Sequence, residues 1–408
     1  MARDPGGRTA LAGSWSVPLS DLAVDEEILD AVREAVASGW WSTGPRVAEF
    51  ELAFARFVGA EHAVAVASGT AALHLSVLAC GCGPGDEVVL PSLNFVAAAS
   101  VVRHAGATPV FCDVVGERDL NLDPSDMDAA AGPRAKAVLV LHYGGFPCEM
   151  ESVLANAARR GLVVIEDAAH APGAVYRGRA CGTLGHVGCF SFFSNKNLPI
   201  GEGGMVVTDD AGLADRVRLL RSHGMTTLTW DRQRGHAAGY DVLASAFNYR
   251  MDELRAAIGL VQLSRLAAGN AARARLAERY RERLDHVAGL TVPFAGGTAH
   301  EVSAHHLAVV VLPRGTARAE LRAELAARRI QTSVHYPPIH RFSAYQELVN
   351  RPLPRTDDLG ERVLTLPLFP HMTGEQVDEV AGALIAALGR PLSARPMTPP
   401  RAGAGSAE

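Results

Sequence analysis

The sequence predicts an α/β fold: a mostly parallel central sheet sandwiched by helices, followed by a smaller C-terminal α/β domain. Three observations carry that expectation. From His62 to Ile165, short runs rich in Val, Ala, Ile and Leu alternate with segments of helical periodicity. The runs are apolar at consecutive positions, as strands buried on both faces are. Polar residues that interrupt the pattern, Ser68, His142 and Asp167, fall at the carboxyl ends of the runs, where ligands of such sheets collect.

Residues 1–20 are rich in Gly, Pro and Ser and read as a flexible N-terminal arm. A first helix spans Asp25 to Ser38, with Ile28, Val32 and Val36 at helical spacing and Gly39 as its stop. A second places Val47, Phe50, Phe54 and Phe57 on one face. Strand and helix then alternate: strand 62–68, helix Thr70–Cys80, strand Glu87–Leu90, helix Phe95–Ala105, strand Thr108–Val114. A helix from Pro124, the strand Ala135–Leu141, the helix Glu149–Arg160 and the strand Leu162–Ile165 continue the series. Two further strands, Cys189–Phe193 and Met205–Thr208, flank a polar, glycine-rich turn. After a helix over 213–222, residues 223–248 are irregular and too long for a simple connection, which marks them as functional or as an inter-subunit arm. A long helical pattern from Asp252 to Leu284 softens near Gly269-Asn270. Strand, helix and strand are expected at Leu307–Leu312, Ala317–Arg329 and Gln331–His335, and a last amphipathic helix at Gly374–Leu388. The expected organisation is a large domain over 21–265, a small domain over 266–390 and a disordered tail over 391–408.

With 48% apolar and 20% charged residues the chain can bury a large core without disulfides or metals. A net charge of −5 argues against nucleic acid or an anionic membrane surface as a partner. No run approaches the ~18 apolar residues of a membrane span, and the first residues lack the apolar stretch of a secretory leader, so a cytoplasmic protein is expected. The six cysteines show no C-x-x-C spacing and read as buried thiols.

Several stretches carry candidate chemistry. In 188–210 a single lysine, Lys196, sits on a short turn braced by Gly201, Gly203 and Gly204; a desolvated amine there becomes a nucleophile toward a carbonyl, the alternative being a solvated loop lysine. Ser68, Gly69 and Thr70 join a strand to a helix N-terminus, which makes either an anion cradle or an ordinary cap. Glu166 and Asp167 end a buried strand, with His170 three residues on; such a carboxylate needs a cation, for which a protonated ring nitrogen of a cofactor would serve, unless it caps the next segment. The glycine cluster 81–85 follows a helix and precedes a strand, the reverse of a dinucleotide fingerprint, and reads as a turn. His305-His306 and His335…His340 lie on or near strands, and adjacent strand residues face opposite ways, which disfavours a shared metal. Arg232, Arg234 and His236 form a basic cluster, either solvated or suited to a phosphorylated substrate.

A phosphate cradle, a strand-end acid and a braced lysine, in that order, match what pyridoxal phosphate requires. Through SGTAAL, GDEVVLPSLNFVA, NLDP, VIEDAAHAPGA, FSFFSNKNLPIGEGG, FNYRMDELRAAIGLVQL and VHYPPIH, over about residues 20 to 388, the chain resembles the DegT/DnrJ/StrS sugar aminotransferases of the type I PLP-dependent transferase fold. The resemblance implies that Lys196 carries the cofactor and shuttles protons, and that Asp167 pairs with the pyridine nitrogen. It further implies that Ser68, Gly69, Thr70 and Ser191 hold the phosphate, that Phe95 stacks on the ring, and that His170 faces the phenolic oxygen. Asn248 would reach the phosphate of a neighbouring subunit, making a homodimer with shared sites. His335, Tyr336 and His340 would line the sugar pocket, with Arg232 and Arg234 near a diphosphate. The implied reaction moves an amino group from L-glutamate or L-glutamine to a keto-sugar, most simply a nucleotide-linked one. A carbocyclic ketose would use the same catalytic set, and a non-catalytic PLP-binding regulator the same cradle. The family often has His at Phe193, Thr at Asn195, Thr at Asn94 and Gln at His170.

Overall fold

The computed structural model describes residues 15–389 apart from 228, 234, 236–238, 296–300 and 350. In chain order its strands are β1 (His62–Val66), β2 (Glu87–Pro91), β3 (Thr108–Cys112), β4 (Val114–Gly116), β5 (Asp119–Leu122), β6 (Ala135–Leu141) and β7 (Val163–Asp167). They continue as β8 (Val175–Tyr176), β9 (Arg179–Ala180), β10 (Val187–Ser191), β11 (Gly204–Thr208), β12 (Glu301–Val302), β13 (Ala308–Val311) and β14 (Val363–Leu366). Seven of them form the central sheet, in the order β1-β11-β10-β7-β6-β2-β3. From β10 to β3 every pairing is parallel; β11 runs antiparallel to both of its neighbours. Past their first one or two residues these strands are buried throughout, the reason their sequences read as unbroken apolar runs.

The helices are α1 (Glu26–Ala37), α2 (Pro45–Val58), α3 (Gly69–Ala79), α4 (Ala97–His104), α5 (Pro124–Ala130), α6 (Met150–Arg160), α7 (Ala211–Arg221), α8 (Thr229–Gln233), α9 (Glu253–Leu284), α10 (Arg318–Ala327), α11 (Pro354–Arg362) and α12 (Gly374–Leu388). One sheet face packs on α2, α6 and the first half of α9, the other on α3, α4 and α7. Side-chain alternation along β10 sorts the two layers. Phe190, and Phe192 just beyond the strand, enter the α2 layer, where both meet Phe54 at ring separations of 4.9 and 5.4 Å. Cys189 and Ser191 face the opposite layer, and Ser191 thereby meets Gly69 at the start of α3.

The soft break expected at Gly269-Asn270 is absent: α9 is one helix of 32 residues. Those two residues serve close neighbours instead. Asn270 bonds Asn197 and the carbonyl of Pro172, and Gly269 faces Pro370. The helix crosses the expected 265/266 boundary and feeds two cores, Ala256 and Leu266 under the large sheet, Leu276, Tyr280 and Leu284 against β13, β14 and α12. The strand expected at Gln331–His335 is a single bridge, Ser333 to Thr365; the true partner of β13 is β14. The N-terminal arm is tied down over its described part. Val17 is fully buried and bridges Ile330, and Leu19 bonds Gln331 and Leu368. The irregular stretch 223–248 holds α8 and is pinned by bridges Ser222–Asn248 and Met225–Val242. Residues 391–408 lie outside the described residues, and all six cysteines are free thiols, five of them buried.

Candidate active site

The carboxyl ends of β7 and β10, the N-terminus of α3 and the segment after β2 enclose a cavity of about 360 Å³. Asp167, the last residue of β7, is 4% exposed and pairs in register with Cys189 of β10. Its Oδ1 accepts the N–H of Ala169 at 3.1 Å, and among the described residues no second donor meets the carboxylate. Burial raises its pKa; the Ala169 N–H and the charge of Lys196 only partly counter it.

Lys196 stands on the turn after β10. The backbone closes that turn twice, by Lys196 N–H to Phe193 O at 2.8 Å and by Ile200 N–H to Phe192 O at 2.9 Å, while Phe192 N–H returns to Gly203 O. Its amine lines the cavity, and desolvation pulls its pKa down to about 8 against the attraction of Asp167. Desolvation therefore exceeds the mutual attraction for both members of the pair, and each is pushed toward neutrality.

At the far side Ser68 caps α3, its Oγ accepting the Ala71 N–H at 3.1 Å. Among the described residues this leaves the N–H groups of Gly69 and Thr70 unspent, both at the cavity wall. Two glycines let the backbones close in: a Cβ on Gly69 would lie 2.6 Å from Ser191 Cβ, and one on Gly204 would lie 2.5 Å from Ser68 O. An anion set there meets helix-start donors and the Ser191 hydroxyl.

On the polar wall His170 meets Tyr336, a residue from the C-terminal part of the chain. Gly144 N–H donates to His170 Nδ1 at 3.3 Å, which assigns the ring proton to Nε2, directed at Tyr336 Oη 2.8 Å away. Burial holds His170 well below the usual histidine range, with Lys196 and His335 pushing the same way. Tyr336 and Phe95 stand 5.7 Å apart at the mouth, where Phe95 is about half exposed.

A family model, the DegT/DnrJ/EryC1/StrS aminotransferase family, matches residues 22–385. The chain belongs to this family. It is 42% identical over 380 residues to the spore coat polysaccharide biosynthesis protein SpsC of Bacillus subtilis (strain 168), covering 91% of this chain and 95% of SpsC. Its fold superposes on the aminotransferase TlmJ from Streptoalloteichus hindustanus with a TM-score of 0.85 at 38% identity, over 92% of this chain and 99% of TlmJ. It superposes on DesI, solved in the presence of its TDP-sugar product, with a TM-score of 0.82 at 33% identity, over 94% and 95% of the two chains. The protein is a PLP-dependent aminotransferase of the type I fold.

The residues present fit that cofactor: a desolvated amine for its aldehyde, unspent helix-start donors for its phosphate, and a buried carboxylate short of partners for its ring nitrogen. Of the positions singled out in this aminotransferase's sequence, Ser68, Gly69, Thr70, Phe95, Asp167, His170, Ser191, Lys196, His335 and Tyr336 share this cavity. His340 does not. Its Nδ1 is 2.7 Å from Ser92 Oγ and its Nε2 3.1 Å from Asp357, because the turn Ile339–Arg341 points the ring back under β2. Arg232 is also outside the cavity lining, its guanidinium 4.5 Å from the Tyr240 ring centroid. Arg234 and His236 lie outside the described residues. Asn248 bridges Ser222 and takes no part in this chain's own cavity wall.

His305 and His306 are not on a strand; His305 has φ +46° and sits edge-on to Phe146, whereas His306 turns toward the lysine loop. Sequence reasoning missed what His306 does there. Asn197 donates to Asn270 Oδ1 and Ala304 O, so its Oδ1 accepts from His306 Nδ1 at 2.9 Å, which ties the residue after Lys196 to α9 and to the lead-in of β13. The adjacent His-His pair was the one available signal, and spacing alone does not separate their roles.

Proposed function

We propose that this aminotransferase moves an amino group from L-glutamate or L-glutamine to the ketone of a nucleotide-linked sugar. The observation that carries the reading is the Lys196–Asp167 pair, an amine drawn toward neutrality and an under-partnered acid in one cavity. Sugar substrates are supported by the TDP-sugar product of DesI and the polysaccharide role in the name of SpsC.

Bound there, pyridoxal phosphate supplies an aldehyde for the amine and an electron-withdrawing ring that eases departure of the donor's α-proton. Lys196 Nζ takes that proton, holds it within the cavity and later returns one to the acceptor carbon. Asp167 keeps a negative charge opposite the ring nitrogen. Gly69, Thr70 and Ser191 hold the phosphate with Ser68 fixing the helix start, Phe95 covers the ring face, and the His170 edge faces the phenolic oxygen. His335 and Tyr336 contact the sugar. Asn248 of the partner subunit completes the phosphate site in a cytoplasmic homodimer that serves glycan or antibiotic biosynthesis.

The cofactor's visible absorbance tests this. It should bleach with L-glutamate and return with one nucleotide-linked keto-sugar of a panel that includes carbocyclic ketoses. Lys196→Ala should abolish both changes, a loss on the order of 10⁴-fold or more, with the melting temperature retained. Recovery by a carbocyclic ketose alone would overturn the sugar assignment, and absorbance unmoved by any amino acid would leave a binding protein.

A further inference from the structure

Backbone hydrogen bonds close the lysine turn at Lys196 and again at Ile200. From Lys196 to Pro199, among the described residues, every side-chain hydrogen bond belongs to Asn197. Both of its amide protons are spent, on Asn270 Oδ1 at 2.8 Å and on Ala304 O at 2.7 Å, and its Oδ1 accepts from His306 Nδ1. Two routes lead on from this side chain to the same place. Asn270 Nδ2 donates to Pro172 O at 2.8 Å, just past His170. His306 N–H donates to Gly144 O at 2.8 Å, and Gly144 N–H donates in turn to His170 Nδ1.

The His306 and His170 rings also lie against each other, their centroids 4.5 Å apart. The junction has no slack: a Cβ on Gly145 would lie 2.7 Å from His170 O and 3.1 Å from the His306 nitrogen. Burial, and after it the charge of Lys196, holds His306 well below the usual histidine range, so the ring is neutral and has one proton to give. Asn197 takes that proton, and a buried set of groups satisfied in one arrangement fixes the side chains that form it. The residue after the reactive lysine is thereby tied, twice over, to the segment that carries His170.

We propose that His306 is a positioning residue for cofactor capture, holding the lysine turn through Asn197 at a fixed separation from His170 so that the Lys196 amine meets the cofactor's aldehyde. The inference rests on the reading of Lys196 as the residue that takes the cofactor. Capture condenses the neutral amine with the aldehyde: a carbon–nitrogen double bond forms, and one water leaves with the aldehyde oxygen and the two amine protons. A ligand anchored by its phosphate at Gly69 and Thr70 brings its aldehyde to one place only, and a turn displaced by about 1 Å loses on the order of 100-fold in rate. His306 is not on the cavity wall, so it acts through its neighbour.

Two aldehydes separate position from reactivity. Pyridoxal phosphate is oriented by its phosphate, whereas formaldehyde trapped with cyanoborohydride needs no orientation. Lys136 and Lys196 are the chain's only lysines, and Lys136 is exposed on β6, so peptide mass spectrometry of the cofactor-free protein reads Lys196 against an internal reference. His306→Phe keeps a ring against His170 but offers Asn197 no proton. In it, capture of pyridoxal phosphate should slow roughly 10- to 100-fold, while formaldehyde labelling of Lys196 relative to Lys136 stays within about twofold. His306→Asn, whose amide nitrogen takes the place of Nδ1, should restore capture to within about threefold of wild type. His306→Gln, whose amide reaches one bond too far, should behave like His306→Phe and decides the matter if that variant does not fold. Capture as fast in His306→Phe or His306→Gln as in wild type overturns the proposal. So does slower capture in His306→Asn than in His306→Phe, the order that ring packing alone would give. An equal change in the rates for both aldehydes also overturns it, since that would place the effect in the amine's exposure. If wild type forms no adduct with pyridoxal phosphate at Lys196, the reading of that lysine fails instead, an outcome distinct from unaltered capture in the variants.

Discussion

At the end of β7 two neighbouring carboxylates are buried side by side and meet opposite surroundings. Glu166 faces the helix layer of α2 and α6 with every lone pair engaged: Oε1 accepts from the N–H groups of Leu184 and Gly185 at 2.7 and 2.5 Å, and Oε2 from Gly182 N–H at 2.7 Å and His142 Nε2 at 2.8 Å. Cys148 N–H donates to His142 Nδ1, which puts the ring proton on the Glu166 side. Asp167, one residue on and therefore on the other face, accepts one N–H. A buried acid whose acceptor capacity is filled by the chain serves the fold; one left short serves whatever the cavity is built to receive.

The largest test of that contrast is Asp167→Asn. Removing the charge should cut kcat/KM with L-glutamate by roughly a thousandfold, as loss of a preorganised electrostatic partner does. The thermal midpoint of the cofactor-free protein should hold or rise, because the change relieves a desolvated charge. A variant that kept its activity would show that the acid is structural after all, like its neighbour. Glu166→Gln should do the reverse. It turns an acceptor into a donor against the N–H groups of Leu184 and Gly185 or of Gly182, and should cost about 2–4 kcal/mol in urea unfolding. The variant that still folds at low temperature should turn over at near wild-type rate.

That Asp167 ends a strand where ligands collect was legible in the sequence; that Glu166 is spent on backbone N–H groups and His142 was not. Strand periodicity puts consecutive acids on opposite faces, but which face holds the site depends on where α3 and the lysine turn come to rest. The parallel sheet was readable because its strands are buried on both sides. The small domain was harder: β14 lies in the run RVLTLPLF, whose apolar continuity specifies no partner, and Gln331–His335 resembles a strand while making one bridge. His335 and His340 share one motif, yet His335 sends its ring to Thr365 near the cavity wall, while His340, inside the turn Ile339–Arg341, sends its ring to Ser92 and Asp357. Arg273 and Asn270 sit in an ordinary amphipathic pattern, and their surroundings come from segments more than 70 residues away.

The finest test couples the two acids to the lysine. Only Asp167 opposes the desolvation that brings Lys196 to about 8; Glu166 has no part in it. Since the free amine is the reacting form, uptake of pyridoxal phosphate by the cofactor-free protein should speed up about tenfold per pH unit below that value and level off above it. The sign of the stability effect follows: a buried lysine whose folded pKa lies below its unfolded 10.5 opposes folding most where both states are protonated, below about pH 8, and that penalty fades as pH climbs toward 10.5. In Asp167→Asn the opposing attraction is gone, so the inflection should move to lower pH, whereas in Glu166→Gln it should stay put. Stopped-flow uptake across pH 6 to 10 reads both, and an equal shift in the two variants would mean that the neighbouring acids act on Lys196 alike.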